Sequence, residues 1–251
     1  MDGKPVYTGA IDEQGNIVGK MPQYIYSGEA FTPVTDIGWA FCRNPYITSI
    51  PEIPSTVTNI GCLAFSGCTG IKSITIPAHI VGIDSQAFDG CTGITSINVE
   101  NGNTVYDSRD NCNAVIETST NKMKLACKTT TIPTSVTSIE NYTFYGCKGL
   151  TSINIPTSVT SIGKGAFQYC TGLTSINIPT SVTSIGENAF RDCTGLTSIN
   201  IPIKVTDMGG SVFNGWKSSQ TINCQAPSKP SGWNSNWKYG CEATINWNVN
   251  M

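Results

Sequence analysis

The chain has 251 residues, 39% of them hydrophobic and 13% charged, with 15 Lys and Arg against 17 Asp and Glu. Soluble domains average about 25% charged residues, so another chemistry must keep this surface wet, and the sequence supplies it with 24 Ser, 31 Thr and 21 Asn. A net charge of −2 without a Lys/Arg cluster excludes the electrostatic footprint of a nucleic-acid partner, and no apolar run approaches the roughly 18 residues of a membrane-spanning helix.

The start, Met1-Asp2-Gly3-Lys4-Pro5, lacks a basic segment followed by an apolar one, so no signal peptide is read there. Residues 1–30 form an N-terminal cap outside any repeat. Val6-Tyr7 and Ile17-Val18 flank a turn-like stretch from Asp12 to Asn16, which predicts a hairpin over the first coil.

From residue 31 the chain becomes periodic. Residues 155–177 and 178–200 are identical at 19 of 23 positions, and weaker copies occupy 53–75, 76–98, 132–154 and 201–223. A landmark Phe recurs at Phe41, Phe65, Phe88, Phe144, Phe167, Phe190 and Phe213, with 33 extra residues in one interval. The apolar set holds 29 Ile against 5 Leu; β-branched residues suit a pleated surface. In Leu150-Thr-Ser-Ile153-Asn-Ile155-Pro156 the apolar residues point inward as a short strand that Pro156 ends. Val159 and Ile162 supply a second inward pair, and Gly163 is read as a tight turn. Ala166, Phe167 and Cys170 have the spacing of a single helical or 3₁₀ turn, and Thr171-Gly172 turns the chain back. Such a unit cannot bury its own apolar face, so successive units must stack. The prediction is one domain over 1–251: cap 1–30, repeats 31–98, an insertion 99–131 read as a hairpin leaving the rod, repeats 132–223, and a C-terminal cap 224–251.

The spacing L-x-x-I-x-I-P-x-x-V-x-x-I-G-x-x-A-F-x-x-C resembles the BspA-like leucine-rich repeat family over roughly residues 30–223. The insertion resembles the irregular hairpins of that family, and the segment from Cys224 to Trp237 resembles its C-terminal closing segments. The resemblance implies a right-handed β/α solenoid, a cell-surface or secreted location, and adhesion or partner binding in place of catalysis. The first unit departs from the pattern, since Asn44 takes the usual Cys place, and the last carries Trp216 there.

Candidate sites follow from the repeat. Cys68, Cys91, Cys147, Cys170 and Cys193 each lie three residues after Phe65, Phe88, Phe144, Phe167 and Phe190. That register marks these ten residues as structural, the thiols packing as small apolar groups. Off register, Cys112 with Cys127 and Cys224 with Cys241 are the pairs whose local segments allow a bridge. The single His79 reads as an exposed repeat substitution and has no metal-ligand spacing, so neither a catalytic base nor a metal site is expected, and no cofactor motif occurs. Asp107, Asp110, Asn111 and Asn113 form an oxygen-rich cluster whose spacing does not match a calcium loop. Asn141-Tyr142-Thr143 fits a glycosylation pattern.

Two surfaces qualify for binding a protein or glycan ligand. Ser152, Asn154, Ser175, Asn177, Ser198 and Asn200 point outward as an uncharged strand face, read either as polar ladders that hold the sheet in register or as a weak multivalent contact surface. Trp233, Trp237 and Tyr239 are read either as a lid on the last coil or as an aromatic platform. Around Phe167 and Phe190 the two closest repeats differ at Lys164/Glu187, Gly165/Asn188, Gln168/Arg191 and Tyr169/Asp192. The turn side therefore carries the local variation. The expected function is a non-catalytic binding or adhesion module; the alternative is a structural spacer or assembly component that displays other segments.

Overall fold

The computed structural model describes residues 6–7, 24–26, 31–50 and 52–250. The chain winds as a β-solenoid of about nine coils. The first ladder is a face of three parallel sheets: Ser73–Ile76 with Ser96–Val99, Ser152–Asn154 with Ser175–Asn177, and Ser198–Ile201 with Thr221–Cys224 and Thr244–Asn246. Its pairings put Ser152, Ile153 and Asn154 against Ser175, Ile176 and Asn177, so equivalent residues of adjacent repeats face each other. A second ladder runs through two-residue strands, Asp36–Ile37, Asn59–Ile60 and Gly82–Ile83 in the first half and Ser138–Ile139, Ser161–Ile162, Ser184–Ile185 and Asp207–Met208 in the second. The inward residues Ile139, Ile153, Val159 and Ile162 are all buried, as the alternation requires.

Val6–Tyr7 pairs in parallel with Asp36–Ile37 and so forms a further rung. The rest of the expected N-terminal hairpin, including Ile17-Val18, lies outside the described residues.

The turn between the second ladder and the landmark Phe is not helical. It is a series of tight turns closed by bonds such as Ala166 N–H to the Gly163 carbonyl (3.3 Å) and Cys170 N–H to the Phe167 carbonyl (3.1 Å). In the C-terminal coils two left-handed residues per coil prevent a helix. One stands two before the Phe (Tyr142, Gly165, Asn188, Ser211, φ 54–59°), the other two after it (Gly146, Tyr169, Asp192, Gly215, φ 56–84°). Gly163 and Gly172 are glycine for a different reason from the turn read in the sequence. A Cβ on Gly172 would stand 2.1 Å from the Lys148 carbonyl oxygen, and one on Gly163 2.6 Å from the Asn141 backbone nitrogen. Close approach of neighbouring coils selects glycine at both positions.

The insertion does not leave the rod. Ala114–Glu117 and Lys122–Ala126 pair antiparallel, and the second of these strands then pairs in parallel with Ser138–Ile139, so it is itself a rung. The hairpin lies between the two halves of the stack as a septum with two apolar faces. Ala114, Ile116, Met123 and Ala126 pack with the C-terminal core, whereas Val115, Leu125 and Cys127 pack with the N-terminal one. Alternation sends Ala114, Val115 and Ile116 to successive faces, and the register shift between Val115 and Ile116 sets Met123 and Leu125 on opposite faces. The unbroken run Ala114-Val115-Ile116 is what a strand covered on both faces requires.

Side chains of the insertion also close the strand edges left by the change of direction. The Tyr106 hydroxyl accepts the Ile83 N–H (3.2 Å) and donates to the Val81 carbonyl (3.4 Å). The Ser108 hydroxyl accepts the Val99 N–H at 2.8 Å, and the Asn103 amide donates to the Pro77 and Ile80 carbonyls. Tyr106→Phe leaves a buried N–H unpaired and is expected to cost about 1–3 kcal/mol, read as a lowered urea midpoint at unchanged slope. A loss under about 0.5 kcal/mol contradicts this role of the hydroxyl.

The C-terminal segment is a further coil, not a separate lid. Thr244–Asn246 pairs in register with Thr221–Cys224, and Trp233 bridges in parallel to Met208.

Candidate functional site

On the first ladder, Ser152, Asn154, Ser175, Asn177, Ser198 and Asn200 are all exposed, and the rows continue through Thr221 and Asn223 to Thr244 and Asn246. The face is flat because the rungs are in register, and uncharged because the repeats repeat. Part of its hydrogen-bonding capacity is used along the rod. The Asn223 amide donates to the Asn200 side-chain oxygen, and the Asn246 amide to that of Asn223, both at 3.0 Å. Thr174 donates its hydroxyl to the Thr151 carbonyl at 3.1 Å. The outward rows are therefore polar ladders and a solvent-facing surface at once.

The tryptophans do not form a platform. Trp233 and Trp237 are each 3% exposed and pack edge-to-face at 5.0 Å. The Trp233 indole N–H donates to the Val205 carbonyl at 2.8 Å. They are the core of the last coil, and a ligand has no access to their faces. Tyr239 alone of that group is exposed.

Behind the strand face, the Phe rings stack in two columns, Phe41–Phe65–Phe88 and Phe144–Phe167–Phe190–Phe213, at centroid spacings of 5.0–6.1 Å. The thiol row does more than fill space. Cys68, Cys91, Cys170 and Cys193 each donate S–H to the Phe carbonyl of the preceding coil, at 2.9–3.1 Å. In the coil with Trp216 the indole N–H makes the same bond to Phe190 at 2.9 Å. The Trp replaces the Cys because it carries the same donor. Burial pushes the Cys68 thiol up to about 11 and raises Cys170 well above the ordinary thiol range, so these groups remain protonated donors and poor nucleophiles. All eleven cysteines are free thiols, Cys112, Cys127, Cys224 and Cys241 included.

The remaining sequence candidates resolve as structural groups. The Asp107 carboxylate is held by the Arg109 guanidinium at 2.6 Å, and Arg109 also donates to Asn121. Among the described residues no group of three His, Cys, Asp or Glu could hold a metal. His79 is half-buried, contrary to the exposed position expected, and its Nε2 is enclosed without a hydrogen-bond partner. In Asn141-Tyr142-Thr143 the Thr is buried, its hydroxyl donating to backbone carbonyls. The variation on the turn side is partly compensated between coils: Lys164 pairs with Glu187 at 2.9 Å, and Arg191 lies over the Tyr169 ring at 5.9 Å.

One group escaped the sequence reading. Asp89 directly follows Phe88, where other coils carry Ser66, Tyr145, Gln168, Arg191 and Asn214. It is 8% exposed, and the Gln86 amide donates to its carboxylate at 3.3 Å. Burial pushes its carboxyl up to about 7; the Gln86 bond opposes this, and the Asp84 charge adds to it. The unfolded chain ionises near the ordinary Asp value of about 4. The folded state is therefore unpenalised below about pH 4 and loses stability as pH rises through about 7. Asp89→Asn is expected to flatten that fall by up to about 4 kcal/mol between about pH 4 and pH 8, measured as the difference between the two proteins' denaturation midpoints over that range. Parallel pH curves contradict a buried, uncompensated carboxylate.

The BspA type Leucine rich repeat profile matches the chain in six copies, over residues 35–121 and 114–241. No curated protein matches it in sequence. Among solved structures, it is similar to a leucine rich cell surface protein from Faecalibacterium prausnitzii A2-165, with a TM-score of 0.55 and 20% identity over 100% of this chain and 95% of that one. It is also similar to the pneumococcal vaccine antigen PcpA, with a TM-score of 0.54 and 14% identity over 97% and 89% of the two chains. At these identities the likeness is one of fold. Among the described residues no helix is long and apolar enough to cross a membrane. The repeat match spans most of the sequence and the coils repeat in register, so this chain belongs to the BspA-type leucine-rich repeat family.

Proposed function

We propose that the protein is a non-catalytic binding module at a bacterial cell surface, or secreted from it, whose strand face contacts a protein or glycan ligand. The observation that carries this reading is the outward surface of Ser152, Asn154, Ser175, Asn177, Ser198 and Asn200, exposed and repeated at one spacing from coil to coil. Strands about 4.8 Å apart present the same hydroxyl and amide groups many times, so individually weak contacts add through multivalency. The surface lacks the Tyr, Trp and Arg anchors that dominate tight interfaces, which fits a repetitive ligand better than a single high-affinity epitope. The surface description of the Faecalibacterium protein and the antigen role named for PcpA support the location.

The bonds between Asn200, Asn223 and Asn246 favour a second reading, a rod that spaces other segments apart, in which these rows serve only the stack. A screen of the purified chain on immobilised matrix proteins and glycan arrays separates the two. Saturable binding that falls at least about tenfold (1.4 kcal/mol) in a folded Ser152→Lys/Ser198→Lys variant supports the binding face. Binding that survives the double substitution moves the contact to another face, and no binding to any probe favours the spacer.

A further inference from the structure

We infer that the cleft at the break between the two Phe columns is a receptor for one lysine ammonium group of a partner protein, with Asp89 as its counter-charge and the ring of Tyr145 as a wall. This site lies on the turn side of the coils and is independent of the strand-face reading.

The break has a definite origin. Ala126 of the septum occupies the place of a landmark Phe. Its N–H donates to the Thr143 carbonyl at 3.1 Å, as that of Phe144 donates to Ala166 at 2.8 Å. The Cys147 thiol reaches the Ala126 carbonyl at 3.9 Å, as that of Cys170 reaches Phe144 at 3.1 Å. A methyl group stands where a ring would, and a cleft opens between it and Phe88. The cleft there has a volume of about 10 Å³ and is lined by Phe88, Asp89, Ala126, Tyr142, Tyr145 and Cys147, among others. Only a water-sized group fits in its enclosed part, which admits an ammonium and rejects the wider guanidinium.

The chemistry of the lining selects a cation. Asp89 is in no ion pair among the described residues, and its one side-chain partner is the neutral Gln86 amide. Arg191, on the same side, is taken up by Asp192 at 3.2 Å and by the Tyr169 ring. Tyr142, Tyr145 and Tyr169 form an edge-to-face row with centroids 5.8 and 5.4 Å apart, continuing the wall away from the carboxylate. Aromatic faces and a desolvated carboxylate together attract an ammonium by cation–π and charge-assisted bonding, and the rings cover the methylene stem that carries it.

The test is a titration of the full chain with Nα-acetyl-lysine methylamide at constant ionic strength, followed by amide NMR shifts of Phe88, Asp89, Tyr145 and Cys147. The expected result is saturation in the millimolar range. The isosteric but uncharged norleucine derivative, and the lysine probe on Asp89→Asn, should each bind at least about tenfold more weakly. Tyr145→Phe, which keeps the ring, should retain binding, and Tyr145→Leu should weaken it several-fold. Amide spectra of each variant establish that it is folded. Equal shifts with the norleucine probe, undiminished binding to Asp89→Asn, or no saturable shift of these amides overturns the inference.

Discussion

Phe167→Ala is expected to lower stability by about 3–5 kcal/mol, the range for deleting a buried aromatic ring. Phe167 is fully buried, with Phe144 stacked at 5.0 Å on one side and Phe190 at 5.5 Å on the other, and both neighbours lose a face when it is removed. Coils in a solenoid communicate only with their neighbours, so the cavity sits in the interface that carries cooperativity and should broaden the urea transition as well as shift it. Phe88→Ala is the internal control. Phe88 stacks on Phe65 alone and its other side already meets the cleft, so its loss should cost less. Equal losses at the two positions, or a loss below about 1 kcal/mol at Phe167, are incompatible with a stack whose stability resides in ring-on-ring contacts.

A comparable loss is expected for Trp233→Ala, about 3–5 kcal/mol, but confined to one end. The residue closes the last coil through its bridge to Met208, its indole bond to Val205 and its contact with Trp237. Hydrogen exchange should show amides of Thr244–Asn246 and the edge of Thr221–Cys224 losing protection, while Ser152–Asn154 and Ser175–Asn177 keep theirs. Global unfolding, or unchanged protection of Thr244–Asn246, contradicts the assignment of this segment as a coil in the ladder.

Much of this architecture is legible in the residues because each repeat states the same instruction. Ile153, Ile176 and Ile199 recur at one interval, and only a stack can cover such a row. What was not legible depends on contacts between coils. Gly163 and Gly172 read as turns, whereas the neighbouring backbone decides their identity. The turn beside Phe167 read as helical because Ala166, Phe167 and Cys170 have the spacing of a helical turn, while the left-handed position two before the Phe is filled by residues as different as Tyr142, Asn188 and Ser211. The glycines two residues after Phe65, Phe88, Phe144 and Phe213 were the available signal. For the septum, the signal was the unalternating run Ala114-Val115-Ile116; for the last coil, the 23-residue step from Ile222 to Ile245. The Trp residues left two readings open because lid and platform share a composition, and only burial separates them. Asp89 gave no motif at all, since its setting is created by an alanine 37 residues away in the sequence, Ala126.

The strand-face account meets its most direct test in hydrogen exchange of the intact chain with and without the best ligand from the array screen. The account predicts added protection at Ser152–Asn154, Ser175–Asn177 and Ser198–Ile201 together, in one continuous patch. Protection on the turn side or at Tyr239, with the strand rows unchanged, would contradict it.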